Sequence, residues 1–266
     1  MREAPRTPVW SLSVVSHGHV DGLRHLLSDL RHHLPLERFE VFVTLNLDEP
    51  EEQVRRLERL WPGELTVIRN SRRKGFAANH NAALCRARGR FIAAIDPELR
   101  LHGNPFDRLA AVLEEPSTGI ATTLVCDADG QLADNAREVI SPRALLARRL
   151  HGHRPLYSSS LDHPLAVDWV AGLFMSMRRD AFARLGGFDE RYFLYCEDAD
   201  LCLRAWNEGL GVYVVPAPMV THVARRRTLK HLQHFAWHCA SLAKLWRSSA
   251  YRRFMAQRAH AGRDAP

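Results

Sequence analysis

Strand and helix patterns alternate with short connections through the first hundred residues, which confines the chain to an α/β fold built on a parallel sheet. Residues 9–16 (VWSLSVVS) predict a buried first strand that stops at the polar turn His17-Gly18-His19. Asp21 can cap the helix that follows, whose apolar stripe is Leu23, Leu26, Leu27, Leu30 and Leu34. Residues 39–45 (FEVFVTL) predict a second strand ending on Asn46-Leu47-Asp48-Glu49, and Val54, Leu57 and Leu60 mark a second helix. A short third strand covers 65–68, a third helix 77–88, and a fourth strand 90–95 (RFIAAI), which ends on Asp96-Pro97-Glu98. Sheets of this kind bind ligands at the carboxyl ends of their strands. A polar cluster follows each of the four strands, at 17–19, 46–49, 70–75 and 96–98, so a site is expected along that edge.

Beyond this half, the pattern predicts a helix over 106–112, strands over 120–126 and 167–177, a helix over 179–185 closed by Gly186-Gly187, and a last strand over 211–215. Ala171-Gly172 inside the second of those strands marks a close backbone approach. Residues 127–164 are the least patterned part and are read as a variable insert over the site, too long for a loop without a role. After His222 the composition shifts. Residues 225–258 mix basic side chains with Leu229, Leu232, Phe235, Trp237, Leu242, Leu245, Trp246, Tyr251 and Phe254. The expected division is a domain over 1–222 and a basic helical extension over 223–266. That extension could pack back on the domain, lie on an anionic membrane surface, or touch nucleic acid.

A chain of 266 residues, 46% of them hydrophobic, can bury a sizeable core. Its net charge of +7 suits anionic partners. The five cysteines are scattered without a C-x-x-C pair, so neither a disulfide framework nor a zinc site is expected and a reducing compartment fits. The apolar run near the start is broken by Ser11 and Ser13, unlike a signal peptide, and no run reaches the ~20 apolar residues of a membrane span.

Three stretches can carry chemistry. Residues 187–206 (GFDERYFLYCEDADLCLRAW) hold Asp189, Glu190, Glu197, Asp198 and Asp200 among apolar residues, and carboxylates beside apolar groups are costly unless bound or used. Ala199, Cys202, Leu203 and Trp206 form a helical stripe that puts Glu197 and Asp198 at the helix mouth, where acids act either as caps or as reactive groups. The loop Arg72-Arg73-Lys74-Gly75 before a helix start is an anion cradle or a solvated basic loop. Asp96 and Glu98, two apart around Pro97, can hold a divalent cation or simply face solvent on a turn. Neither a P-loop nor a G-x-G-x-x-G motif is present.

Residues 170–222 (VAGLFMSMRRDAFARLGGFDERYFLYCEDADLCLRAWNEGLGVYVVPAPMVTH) and 69–84 (RNSRRKGFAANHNAAL) resemble family 2 glycosyltransferases of the GT-A fold, in particular the rhamnosyltransferase-type branch of bacterial surface-polysaccharide synthesis. The resemblance runs over about 9–222, and Gly75, Phe76, Ala77, Asn79 and Asn81 match the family's Gly-Phe-Ala…Asn…Asn pattern. It implies a GT-A sheet flanked by helices, mixed and mainly parallel. By the resemblance, Ser16, His17, Asn46 and Asp48 hold the nucleotide base and ribose of a sugar donor. Asn70, Arg72, Lys74, Gly75, Phe76 and Asn79 contact nucleotide and diphosphate, and Gly172 lines the donor or acceptor pocket. Asp198 matches the catalytic base with Glu197 beside it, and Asp96 falls both in the donor site and in the metal-binding motif with Glu98. His222 falls where related enzymes place a histidine near metal and diphosphate. The first strand ends in Ser-His-Gly-His where the family often has an aromatic-Asn pair, and Asp-Pro-Glu stands where Asp-x-Asp or Asn-Pro-Asp is usual.

The implied activity is inverting transfer of a sugar, rhamnose by analogy, from a nucleotide-sugar donor such as deoxythymidine diphosphate-rhamnose to a glycan or lipid-linked glycan, with Mg2+ or Mn2+ as cofactor. The implied location is the cytoplasm, with peripheral contact at the inner face of the membrane through 225–258, and no nucleic-acid partner is expected. The competing readings are a non-catalytic sugar-nucleotide or lipid-binding scaffold and a nucleotidyltransferase, and selective donor binding with transfer separates them.

Overall fold

The structure, a computed structural model, describes residues 7–18, 20–142, 145, 156–223 and 232–261. Its centre is a parallel sheet. Strand β1 (Trp10–Ser16) pairs in parallel with β2 (Phe39–Leu45) on one side and β4 (Phe91–Ile95) on the other, and β3 (Glu64–Arg69) lies outside β2. Helices α1 (Val20–His33), α2 (Glu51–Leu60) and α3 (Phe76–Leu84) connect them.

The two-residue strand period explains the layering. Trp10, Leu12 and Val14 of β1 point into one apolar layer with Leu23, Leu26, Leu27 and Leu30 of α1. Ser11 and Ser13 are buried on the opposite face, where Ser11 Oγ donates to Glu40 Oε1 at 2.6 Å and Ser13 Oγ lies 2.8 Å from His80 Nδ1. Small side chains there let α3 approach the sheet. Glu40 also accepts from the amides of Arg88 and Gly89, which turns the chain after α3. The helix therefore ends at Leu84 rather than running to 88 as its sequence predicts.

The second half of the sheet is mixed. The strands are β5 (Leu99–Leu101), β6 (Thr118–Asp127), β10 (Phe174–Arg178) and β11 (Gly211–His222), with α4 (Phe106–Leu113) between β5 and β6. β10 is antiparallel to β4 and β6, β11 is parallel to β6, and β5 is antiparallel to β11 at the far edge. Short strands β7 (Ala136–Arg137), β8 (Leu165–Ala166) and β9 (Trp169–Val170) complete the set, β7 pairing with β9 and β8 with β11.

Two expected strands differ. The run 167–177 is not one strand: β9 leaves to pair with β7, residues 171–173 turn, and β10 begins at Phe174. β11 does not end at Val215 but continues through Pro216 and Pro218 to His222, with a register shift against β6 between Val215 and Val220 that accommodates residues lacking an N–H donor.

Helices α5 (Arg179–Leu185) and α6 (Glu197–Asn207) cover the other face of the sheet. The C-terminal helices α7 (Leu232–Arg247) and α8 (Ser249–Ala261) pack against the domain, burying Leu242, Leu245, Ala250 and Phe254 in the same apolar layer as α6. Polar bonds fix them there: Trp246 Nε1 donates to the Ile140 carbonyl at 2.8 Å, and Asn207 Nδ2 to the Ala250 carbonyl at 2.9 Å. No described helix is long and apolar enough to cross a membrane.

Candidate functional site

The five carboxylates of 187–206 have different fates. Asp200 is buried and pairs with Arg204 at 2.8 Å, four residues on along α6, while Arg204 also donates to the Gly187 carbonyl. Asp189 is chelated by Arg191, with Nη2 to Oδ2 at 2.6 Å. Glu190 accepts from Asn81 Nδ2 at 3.0 Å, and the same amide bonds the Phe188 carbonyl, so these contacts tie α3 to the segment before α6. Three acids are thus engaged by local partners, and Glu197 and Asp198 remain.

Both sit in the first turn of α6, and the backbone before them is strained. Tyr195 (φ +73°) and Cys196 (φ +67°) are consecutive non-glycine residues in the left-handed region. Glu197 is 4% exposed, and its Oε2 has no hydrogen-bond partner among the described residues. Burial pushes its carboxyl up, and the neighbouring Asp198 pushes it further. Asp198 is half-buried and accepts from the Gly172 amide at 2.9 Å and the Ala199 amide at 2.8 Å. Burial raises its carboxyl above the ordinary range, and those two amides and the Arg137 charge oppose the rise without cancelling it. Glu197 is therefore the more enclosed of the two, with an unpartnered oxygen, and Asp198 is the one held by backbone donors and left partly accessible.

Asp96 and Glu98 stand at the carboxyl end of β4, and His222 at the end of β11. Ligand atoms of the three lie within 4.8 Å of one another, and His222 Nε2 is 3.7 Å from Asp96 Oδ1. β5 is what brings them together. It starts right after Glu98, pairs Leu99 with His222, and lets the Val223 amide donate to the Glu98 carbonyl at 3.1 Å. The Glu98 amide donates to Asp96 Oδ1 at 2.8 Å, orienting that carboxylate. Two carboxylates and an imidazole fit Mn2+ or Mg2+ as a donor set.

The loop before α3 is built on asparagines. Asn46 is fully buried and both gives and receives a 2.9 Å bond with the Lys74 backbone, and its Nδ2 also bonds His17 Nδ1 at 2.9 Å. Asn70 Nδ2 bridges Asn46 Oδ1 at 2.8 Å and Asn79 Oδ1 at 2.6 Å, and Asn79 Nδ2 donates to the Gly75 carbonyl at 2.9 Å. These amides shape the loop from within. Arg72 and Arg73 are exposed on it, and Lys74 is half-buried. Ser16 Oγ donates to Glu49 Oε1 at 3.2 Å, and Asp48 is exposed on the loop after β2. A cavity of about 590 Å³ is lined by Arg72, Arg73, Lys74, Asn81, Glu190 and Phe193 among others, and none of Asp96, Glu98, Asp198 and His222 lines it.

Glycines allow the loops to meet. A Cβ on Gly75 would lie 2.3 Å from the Phe193 carbonyl oxygen, and one on Gly172 would lie 2.7 Å from Cζ of Phe76. Phe76 in turn packs edge-on against Phe188, with centroids 5.4 Å apart. The predicted residues Gly75, Phe76 and Gly172 are thus one contact running from the α3 loop to the turn that holds Asp198.

Sequence reasoning missed two residues. Arg137, inside the stretch read as an insert, lies over the Trp169 ring at 4.9 Å, donates to the Asp134 carbonyl at 2.9 Å, and acts electrostatically on Asp198 and Cys196. Asp134 is three residues away, but Trp169 and Asp198 are distant in sequence, and no spacing signals those contacts. His80 is buried under Phe76, and burial, with His17 adding to it, holds its imidazole down to about 3, so it is neutral. His19, the remainder of the insert (143–144 and 146–155), and 224–231 of the basic stretch lie outside the described residues.

Residues 24–240 match the family model described as glycosyltransferase like family 2. Rhamnosyltransferase WbbL of Escherichia coli K12 is 30% identical over 241 residues, which cover 86% of this chain and 89% of that protein. The N-acetylglucosaminyl-diphospho-decaprenol L-rhamnosyltransferase of Mycobacterium tuberculosis is 30% identical over 162 residues, 56% of this chain and 52% of that protein, so the match spans about half of that relative. Among solved structures, the mannosyltransferase PcManGT of Pyrobaculum calidifontis, in complex with GDP-Man and Mn2+, superposes with a TM-score of 0.59 at 20% identity, covering 99% of this chain and 78% of that one. GalNAc-T7 with UDP, GalNAc and Mn2+ gives 0.65 at 20% identity, covering 82% of this chain and 44% of that one. These likenesses identify the architecture as the GT-A fold.

Proposed function

The chain belongs to glycosyltransferase family 2, and we propose that it is an inverting enzyme that moves a deoxyhexose, rhamnose, from a nucleoside-diphosphate donor to a lipid-linked glycan during surface-polysaccharide synthesis. One observation carries the reading. Consecutive residues of the 171–173 turn bind both halves of the site: the Gly172 amide holds Asp198, and the Leu173 carbonyl accepts from the Asp96 amide at 2.8 Å. A donor diphosphate at Asp96 and an acceptor hydroxyl at Asp198 would then be adjacent.

In the proposed reaction Asp198 takes the proton from the acceptor hydroxyl as that oxygen attacks the anomeric carbon. The bond from anomeric carbon to diphosphate oxygen breaks, the configuration inverts, and the nucleoside diphosphate leaves with the electron pair. The transition state is oxocarbenium-like. Asp96, Glu98 and His222 would hold a divalent cation, which when bound neutralises charge on the departing diphosphate. Arg72 and Lys74 add positive charge at the α3 loop. Asn46, Asn70 and Asn79 keep that loop in shape, and His17 and Asp48 would face the nucleoside, while Ser16 is buried and donates to Glu49.

The proposed setting is the cytoplasmic face of the membrane, where lipid-linked acceptors are presented. The membrane relation is supported by the exposed Leu232 (90%) and Phe235 (58%) at the start of α7.

The test is a transfer assay with dTDP-rhamnose and a polyprenyl-diphosphate-linked N-acetylglucosamine, preceded by thermal shifts with UDP-, dTDP- and GDP-sugars with and without Mn2+. Release of dTDP that depends on the acceptor supports the reading. Binding of no nucleotide sugar, with or without acceptor, refutes it.

A further inference from the structure

The strained pair Tyr195 and Cys196 stands directly before the acids, and a left-handed pair of this kind persists only where its surroundings over-determine it. Those surroundings come from the C-terminal helix α7. Tyr195 OH and His234 Nδ1 are hydrogen-bonded at 2.9 Å, and the Tyr195 and His238 rings meet at 5.0 Å. One turn further along, Ser241 Oγ donates to the Leu194 carbonyl at 2.8 Å, and Lys244 Nζ reaches the Arg191 carbonyl. Trp237 stacks on Phe193 at 4.8 Å. His234, Trp237, His238, Ser241 and Lys244 follow the three- and four-residue helical spacing, so a single face of α7 grips 191–195. The α3 loop touches the same segment and helix, where the Phe76 amide donates to the Phe193 carbonyl at 3.0 Å and Arg73 lies 5.4 Å over the Trp237 ring of α7.

We propose that His234 and Tyr195 are a positioning pair for transfer: the C-terminal helix, through their hydrogen bond, fixes the left-handed turn that aims Asp198 at the acceptor hydroxyl. The proposal rests on the assignment of Asp198 as base. It makes α7 a working part of the site and not an appendage for docking alone. Neither residue touches the reacting atoms. Their effect is geometric, and misplacement of a catalytic group by about 1 Å costs on the order of 100-fold in rate.

The experiment compares Tyr195→Phe, His234→Phe, the double variant and His234→Asn. Asn presents an amide near the place of the imidazole Nδ1. Each Phe variant is expected to lower kcat about 10- to 100-fold with the donor KM unchanged. The double variant is expected to be no worse than either single one, and His234→Asn to recover most of the rate. Amide exchange over 194–198 is expected to quicken in His234→Phe and to return toward normal in His234→Asn. Unchanged kcat in both single variants, additive losses, or unchanged exchange would overturn the proposal. The exchange measurement needs no turnover. A wild-type protein without transfer activity would therefore refute the proposed function, while exchange would still decide whether the latch orders the turn.

Discussion

The Gly172 amide donates to Asp198 Oδ2 at 2.9 Å across 26 residues of sequence, from a turn that interrupts what reads as a continuous strand. The break has a physical cause. Ala171 gives its amide to the Asn135 carbonyl at 2.7 Å beside the β7–β9 pair, the Leu173 carbonyl receives the Asp96 amide beside the β4–β10 pair, and Gly172, between the two pairings, is left to bond Asp198. Gly172 is the member of the turn against which the Phe76 ring lies. The bond fixes one carboxylate oxygen of Asp198 and leaves the side chain partly accessible.

Asp198→Asn is expected to lower kcat by at least about 1,000-fold, within the range general base catalysis supplies. The amide oxygen of Asn can still accept from Gly172, so the turn keeps its shape and nucleotide-sugar affinity stays near wild type. Transfer kinetics together with calorimetric donor binding check this. Full activity in the variant would remove Asp198 from the reaction.

The rate should also fall on the acid side, and Arg137 should set where. Burial raises the Asp198 carboxyl, while the Arg137 guanidinium is among the groups pulling it down. A base works in its ionised form, so activity is lost as pH drops through that raised value. Arg137→Met removes the downward pull and moves the acid limb of kcat/KM to higher pH, whereas Arg137→Lys keeps the charge and stays closer to wild type. The pH profile of kcat/KM for the three proteins reads the effect. A limb that stays in place in the Met variant would show that Arg137 does not act on the base.

Gly75→Ala is expected to destabilise more than Gly172→Ala. The added methyl at Gly75 meets a backbone carbonyl, Phe193 O at 2.3 Å, which shifts only if the segment before α6 moves. At Gly172 it meets the tip of the Phe76 ring at 2.7 Å, and a side-chain tip can turn aside. A cost of about 1–3 kcal/mol is expected for the first and less for the second. Urea unfolding of the two variants measures the order.

The parallel half of the fold was legible because its strands and helices carry clean two- and 3.6-residue periods, as in Trp10, Leu12 and Val14 against Leu23, Leu26 and Leu30. The start of α6 at Glu197 was legible for the same reason. What spacing alone could not do was sort five acids, although resemblance marked Asp198 and Glu197, since the partners that engage Asp200, Asp189 and Glu190 are recognised only once Arg204, Arg191 and Asn81 are in place. His222 was marked by resemblance, but its route to Asp96 depends on β5, three residues long and too short to show a period, and on a strand that passes through two prolines. The asparagines at 46 and 79 read as ligand contacts from their motif. Both are fully buried with amides bonded to the loop backbone, and side-chain direction of that kind is not encoded in spacing. The place of Arg137 near the acids carries no local signal, since the indole beneath it is 32 residues away.

The cluster of Asp96, Glu98 and His222 leads to a prediction about binding that is independent of turnover. Mn2+ with a nucleoside diphosphate should stabilise the protein more than either alone, because the diphosphate oxygens complete a coordination shell for which the chain supplies three donors. If only the folded protein binds, ligand at about 100 times its dissociation constant adds about 2.7 kcal/mol. Asp96→Ala should abolish the metal-dependent part, because this carboxylate is oriented by the Glu98 amide and lies nearest His222. His222→Ala should weaken it while leaving the metal-independent part, which is expected to rest on Arg72 and Lys74. Thermal unfolding of the three proteins with nucleoside diphosphate, in Mn2+ and in EDTA, separates the two contributions. Equal stabilisation in Mn2+ and EDTA for the wild type would move the diphosphate from the acidic cluster to the basic loop.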